Sequence, residues 1–240
     1  MRISKSIISL SLLIAFITSL HGQSIVHQDL LWLRYYNKLN ISEHLSLHTE
    51  LEERMYINPY RVHQRLLPWT ALSYTTKQKM IINMGFTYFQ QYLPHDELQS
   101  PALFNEFRPH QSISVSNKLP FFTLKTRLQI EERIIQENNR AWSYIFRERI
   151  LVQADIPIVR NESLNRLEAV VFNEIMIQQG DGLRYNFFDQ NRMGAGLKGS
   201  INQAFQIEAI FIKWYQQRAT LVDYFSRNII RLSIFHTIEL

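Results

Sequence analysis

Residues 45–57 read Leu-Ser-Leu-His-Thr-Glu-Leu-Glu-Glu-Arg-Met-Tyr-Ile. Leu45, Leu47, Thr49 and Leu51 fall on one parity; His44, Ser46, His48, Glu50, Glu52 and Arg54 fall on the other. This alternation is the period of a β-strand, whose successive side chains point to opposite faces. A near copy follows further along, where Leu124, Thr126, Leu128, Ile130 and Ile134 alternate with Lys125, Arg127, Gln129, Glu131 and Arg133. Leu51-Glu52-Glu53-Arg54 and Ile130-Glu131-Glu132-Arg133 coincide in register. Each strand therefore has an apolar face and a face of opposite charges. Such a wall suits a transmembrane β-barrel, with lipid outside and a charged lumen inside.

Composition narrows the class. The chain has 240 residues, 46% hydrophobic and 20% charged, which is enough for one large domain and too apolar for disorder. Beyond the N-terminus no apolar run approaches the roughly 18 residues of a spanning helix, so a helical membrane protein is excluded. A membrane barrel is not, because its polar lumen side dilutes the hydropathy. The net charge is +5, with Arg2 and Lys5 supplying two of the positive charges. The remaining Lys and Arg are spread along the chain and interleaved with Glu, a pattern that argues against nucleic acid. The 11 Tyr, 15 Phe and 4 Trp suit membrane interfaces and equally suit any β core. The absence of Cys removes disulfides, thiolate metal sites, thiol catalysis and a lipidated N-terminal Cys.

Residues 1–22 read as a cleaved secretory signal: Arg2 and Lys5 form a basic start, Ile7 to Leu20 an apolar core, and Gly22 before Gln23 a cleavage point. Residues 23–240 then form a single barrel. Strands are expected over 26–39, 43–57, 61–76, 79–93, 105–118, 121–137, 141–156, 164–179, 189–200, 204–217 and 224–240. Tight turns are expected near Asn40, Thr76-Lys77, Leu119-Pro120, Asn161 to Ser163 and Ser200 to Asn202. Larger connections alternate with them: Asn58 to Tyr60, Pro94 to Phe104, Glu137 to Arg140, Gly180 to Asp189 and Arg218 to Asp223. Short turns on one side and longer loops on the other are the habit of outer-membrane barrels, with the turns facing the periplasm. The segments number eleven, whereas bacterial single-chain barrels have even counts. The expectation is therefore about 10–12 antiparallel strands, with twelve favoured. Most segments exceed the roughly 9–11 residues that cross lipid, so the wall projects beyond the membrane or tilts strongly. Leu240 ends the last alternating segment where the outer-membrane assembly signal usually has Phe.

An early Trp-containing strand (Trp32-Leu33-Arg34-Tyr35), Glu50-Leu51-Glu52-Glu53-Arg54 and the later echoes Ile130-Glu131-Glu132-Arg133 and Arg147-Glu148-Arg149 carry a family resemblance. The mature chain resembles an outer-membrane protein family known as domain of unknown function 2490, common in the Bacteroidota. The resemblance implies a single outer-membrane-type barrel and no reaction.

The candidate site is a lumen charge ladder of Glu50, Glu52, Arg54, Arg127, Glu131, Arg133, Glu168 and Glu174. Opposite charges enclosed in a narrow lumen must pair, since isolated buried charge is very costly. A selective constriction or ion path is one reading of such pairs, and a ladder that fills and rigidifies the barrel is the other. Glu53 and Glu132 face outward near the loop ends, at the level of lipid headgroups. Glu148 shares its parity with Tyr144, Phe146, Ile150 and Val152, which a bulge or register slip would explain.

His110-x-Ser112 is the one catalytic-looking pair, and its inward parity is the wrong face for a lipid hydrolase. His44 and His48 share a face but lie roughly 13 Å apart on a strand, too far for one metal ion. Asp181 and Asp189 flank a glycine-containing loop without the spacing of a calcium hand. Gly194-Ala195-Gly196 reads as a strand of small residues that relieves crowding. No cofactor is indicated.

The expected protein is an outer-membrane β-barrel of a Gram-negative bacterium. Its role is a passive small channel or a structural or binding scaffold. Its partners are lipopolysaccharide, phospholipid and the outer-membrane assembly machinery, with no nucleic acid. The alternatives are a lipid-modifying hydrolase using His110 and Ser112, and a soluble periplasmic lipocalin-like binder with the faces reversed.

Overall fold

The computed structural model describes residues 25–58, 60–92, 103–137, 142–160, 166–180, 187–218 and 223–240. The expected signal segment, the turn at Asn161 to Ser163, Asp181 and most of the longer connections lie outside them. The described residues form eleven strands and no helix. They are β1 (Ile25–Asn40), β2 (Leu45–Tyr56), β3 (Arg61–Thr75), β4 (Ile81–Tyr92), β5 (Leu103–Lys118), β6 (Thr123–Glu137), β7 (Ser143–Arg160), β8 (Arg166–Gly180), β9 (Phe188–Ser200), β10 (Phe205–Gln217) and β11 (Tyr224–Glu239).

Each strand pairs antiparallel with its sequence neighbours, and the sheet closes into a barrel. In an antiparallel meander with an odd number of strands, the first and last run the same way. Closure therefore pairs β1 with β11 in parallel, from Ile25 opposite Tyr224 to Asn40 opposite Glu239. The count is eleven rather than the favoured twelve, and the segment starting near residue 26 is a full wall strand. Odd-stranded membrane barrels are known from mitochondria.

The stagger is large. Following paired residues around the wall from Asn40 through Ser46, Gln129 and Gln216 returns to β1 at Val26. A displacement of that size requires strong strand tilt, of the order of 40° in barrels generally. Tilt accommodates strands of 12 to 18 residues without a tall wall.

One end of the barrel carries the tight turns and the other the longer connections; these are the turn end and the loop end below. At the turn end the Ser42 hydroxyl accepts the backbone N–H of Leu45 at 3.1 Å, and the Asn202 side chain accepts those of Ala204 and Phe205. Short polar side chains thus replace ladder bonds where the strands reverse. Lys79 closes the β3–β4 turn with φ 62°, donating its N–H to the Thr76 carbonyl at 2.9 Å.

Prolines sit at irregularities. The register shifts around Pro68 and Pro157, and Arg108 and Pro109 have no partners on β6. Each break places a residue without an N–H where the ladder does not need one. Glycine allows close approach on β9: a Cβ at Gly196 would collide with the Ala209 carbonyl and lie 2.6 Å from the Ile210 Cα.

The two faces differ sharply. Every strand turns large apolar side chains outward, among them Leu33, Leu51, Leu72, Met84, Ile113, Leu128, Ile150, Val171, Leu197, Phe211 and Ile230. Arg54, Arg147, Glu131, Glu174 and Glu208 are buried in the interior.

Glu148 departs from the expectation of a bulge or slip. β7 runs through it without a register shift, opposite Ile130 on β6 and Ile177 on β8, so it faces outward with no bulge or slip. It stands diagonal to Glu132, and both lie in the half of the wall nearer the loop end.

Candidate functional site

Inward parity on β6, β7, β8 and β9 builds one continuous ion lattice. Asp189 accepts Arg147 Nη1 at 3.1 Å, and Arg147 also binds Glu131. Glu131 accepts Arg149 Nη1 at 2.6 Å. Arg149 reaches Glu174 at 2.7 Å, and Glu174 accepts Arg127 at 2.7 Å. The lattice alternates sign, so each buried charge has an opposite neighbour and a hydrogen bond.

Smaller clusters surround it. Glu106 accepts Arg108 and Arg133, both at 2.5 Å. Glu52 accepts Arg54 Nε at 2.5 Å, and Arg54 donates on to Gln64 at 2.8 Å. Glu208 accepts Arg231 at 3.0 Å and Arg34 at 3.3 Å, and Glu50 lies 4.0 Å from Arg34. Near the turn end Asp155 holds Lys125 at 2.5 Å and Lys198 at 3.0 Å, and Lys198 bridges to Glu168.

All eight ladder residues lie inside the barrel, but their partners differ from simple strand neighbours. Glu52 and Arg54 bind each other, whereas Glu131 and Arg133 do not: Arg133 goes to Glu106 and Glu131 to the arginines of β7. Arg147, Arg149, Arg192, Lys198, Glu208 and Arg231 are among the interior charges that lie outside the eight expected ladder residues. The same alternating parity on β7, β9, β10 and β11 carried their signal.

The interior also holds an apolar cluster that parity did not reveal. Leu30, Trp32, Tyr56, Val170, Phe172, Ile210, Ile212, Trp214 and Ile229 pack together on the lumen side. Trp32 and Trp214 meet edge to face with centroids 5.6 Å apart. Guanidiniums cap these rings: Arg54 lies 3.9 Å from the Trp32 centroid and Arg192 4.7 Å from that of Trp214. Stacked cations attract the negative ring faces and join the charged and apolar parts of the interior.

Between these layers lies a cavity of about 490 Å³. Trp32, Arg54, Arg108 and Arg192 line it, and so do Lys125, Gln153, Gln206 and Phe235 from the turn-end half. Side-chain exposure rises from 4% at Arg147 to 39% at Lys125, so the cavity opens toward the turn end. Glu106, Arg133, Asp189 and Trp214 are not part of its lining. Among the described residues, the loop-end half is filled by paired charges and packed rings. Among the described residues the cavity is thus a vestibule, blind toward the loop end.

His110 is buried, stacks on Trp69 with centroids 4.9 Å apart, and turns Nδ1 to the Arg108 carbonyl at 3.4 Å. The Ser112 hydroxyl accepts Asn83 Nδ2 at 2.9 Å. Both side chains face the lumen, and each is engaged by a group other than its supposed catalytic partner. His48 is engaged by Tyr36 and Ser46. Among the described residues no three His, Asp or Glu side chains gather as a metal site. On the outer wall Arg65 binds Glu53 at 3.2 Å.

No curated protein and no solved structure matches the chain. Residues 30–225 match a family model, which covers the wall from within β1 to the start of β11. The chain belongs to the family described as "Protein of unknown function (DUF2490)".

Proposed function

We propose that this protein is an integral outer-membrane β-barrel acting as a closed scaffold or binding vessel, without catalytic activity. The observation that carries the reading is the inversion of polarity. Leu128 is 50% exposed on the outer face, while Arg147 on the adjoining strand is 3% exposed in the interior. Soluble monomers rarely expose contiguous apolar patches beyond a few hundred Å², and here all eleven strands contribute to one. A lipid environment makes that surface favourable.

Further support comes from the ends of the wall. Tyr60, Trp142 and Phe187 are exposed at the loop end, and Tyr74 and Phe121 at the turn end, in the manner of interfacial aromatic girdles. The outward carboxylates Glu53, Glu132 and Glu148 lie toward the loop end, where headgroups tolerate charge. Across the β1–β11 seam an apolar groove lined by Leu33, Leu51, Leu197, Leu232 and Ile234 offers a surface to acyl chains of phospholipid or lipopolysaccharide. A lipocalin-like soluble binder requires the opposite polarity. In this reading the turns face the periplasm and the longer loops the outside.

The blind vestibule favours a scaffold over an open pore, because Glu52, Arg54 and Glu131 reach the cavity and Arg133 does not. Cell fractionation and planar bilayers test both parts. The protein is expected to require detergent for extraction and to leave bilayers silent. Release without detergent would overturn the membrane reading; steady ion-selective conductance altered by Glu52→Ala would replace the scaffold with a channel.

A further inference from the structure

The vestibule is not electrically balanced. Ten Lys and Arg side chains line it against five Glu. Some inward charges lie outside the lining: the carboxylates Glu106, Asp155, Glu168 and Asp189, and on the basic side Lys38, Arg133 and Arg227. Including both sets narrows the basic excess by one and leaves it standing.

Three lining guanidiniums, those of Arg127, Arg192 and Arg231, keep a buried Nε–H that meets no acceptor among the described residues. Arg192 has no carboxylate within ion-pair distance among those residues. It lies instead against the edge-to-face pair of Trp32 and Trp214, with centroids at 5.2 Å and 4.7 Å, and donates to Gln190 at 2.9 Å.

Excess cations in a low-dielectric enclosure repel one another and draw anions. An unneutralised charge held there is costly. The guanidinium fork matches two oxygens of a carboxylate or phosphate at once. A volume of about 490 Å³ suits a small molecule and excludes a polymer.

We propose that the vestibule binds a small polyanion carrying phosphate or carboxylate groups, which enters from the turn end and is held by Arg127, Arg192 and Arg231. The inference rests on the basic cavity and its unpartnered guanidinium N–H groups, so it stands or falls separately from the membrane reading.

Isothermal titration of the full chain at low salt tests it, with inorganic pyrophosphate and citrate as probes. Saturable binding to one site is expected, weakening steeply as salt rises. Arg192→Gln and Lys125→Gln should each weaken it by about tenfold or more. Neither strands a carboxylate, because Asp155 keeps Lys198 when Lys125 is removed. Glu50→Gln should tighten it by raising the basic excess. Lys125 lies at the mouth, so its variant keeps the test available if Arg192→Gln does not fold. Displacement of pyrophosphate by a diphosphorylated lipid in mixed micelles would support the proposal and identify a headgroup source. Displacement by soluble phosphates alone would support it with a free solute as the source. Absence of saturable binding to the folded barrel would overturn it, as would binding indifferent to both basic variants or matched by chloride.

Discussion

At the residue scale, position decides what an ion pair contributes. Arg147 binds Glu131 and Asp189 with 4% of its side chain exposed. Truncating it would leave two enclosed carboxylates short of a partner, which costs about 3–5 kcal/mol in buried pairs. Arg65 binds Glu53 on the outer wall with both side chains about 40% exposed, where pairs contribute less than about 1 kcal/mol. Unfolding of detergent-solubilised protein by guanidinium should therefore show a large loss for Arg147→Ala and little change for Arg65→Ala. Comparable effects would mean that the interior is well hydrated and the lattice is not structural.

At the element scale, the strands were readable because their faces differ in polarity. The alternation in 45–57 and 124–134 marks β2 and β6 directly, and all eleven expected segments lie within a few residues of the observed strands. The largest extension is at β7, which continues past Pro157 to Arg160 because a register shift accommodates the proline. Closure was harder to read. Pairing between β1 and β11 joins opposite ends of the chain, and nothing local in either strand records its partner. The parallel seam gives a direct test, since Leu33 faces Leu232 in register and both side chains point outward. In this cysteine-free chain, Leu33→Cys with Leu232→Cys should form a disulfide under oxidising conditions and leave the barrel folded. Failure to crosslink in the folded protein would mean that a further strand separates the two.

At the scale of the whole molecule, parity predicted the enclosed charges but not the enclosed rings. The reason lies in β1 and β10, where Leu30 to Leu33 and Ala209 to Ile212 are apolar on both parities. A strand that is apolar on both faces gives no sign of which side is the interior. The blind end of the vestibule was illegible for the same reason: Trp32 and Trp214 close it from strands whose two faces look alike.

In the proposed membrane placement the apolar face meets lipid and the charged face is enclosed. Single spin labels at Leu128→Cys and Ile150→Cys on the outer face, and at Lys125→Cys and Gln153→Cys in the vestibule, test it in native membranes. The measurement is relaxation by dissolved oxygen, which concentrates in lipid, against relaxation by a water-soluble nickel chelate. Strong oxygen and weak nickel effects are expected at positions 128 and 150, and the reverse at 125 and 153. Strong nickel and weak oxygen effects at 128 and 150 would place those side chains in water and overturn the lipid-facing wall.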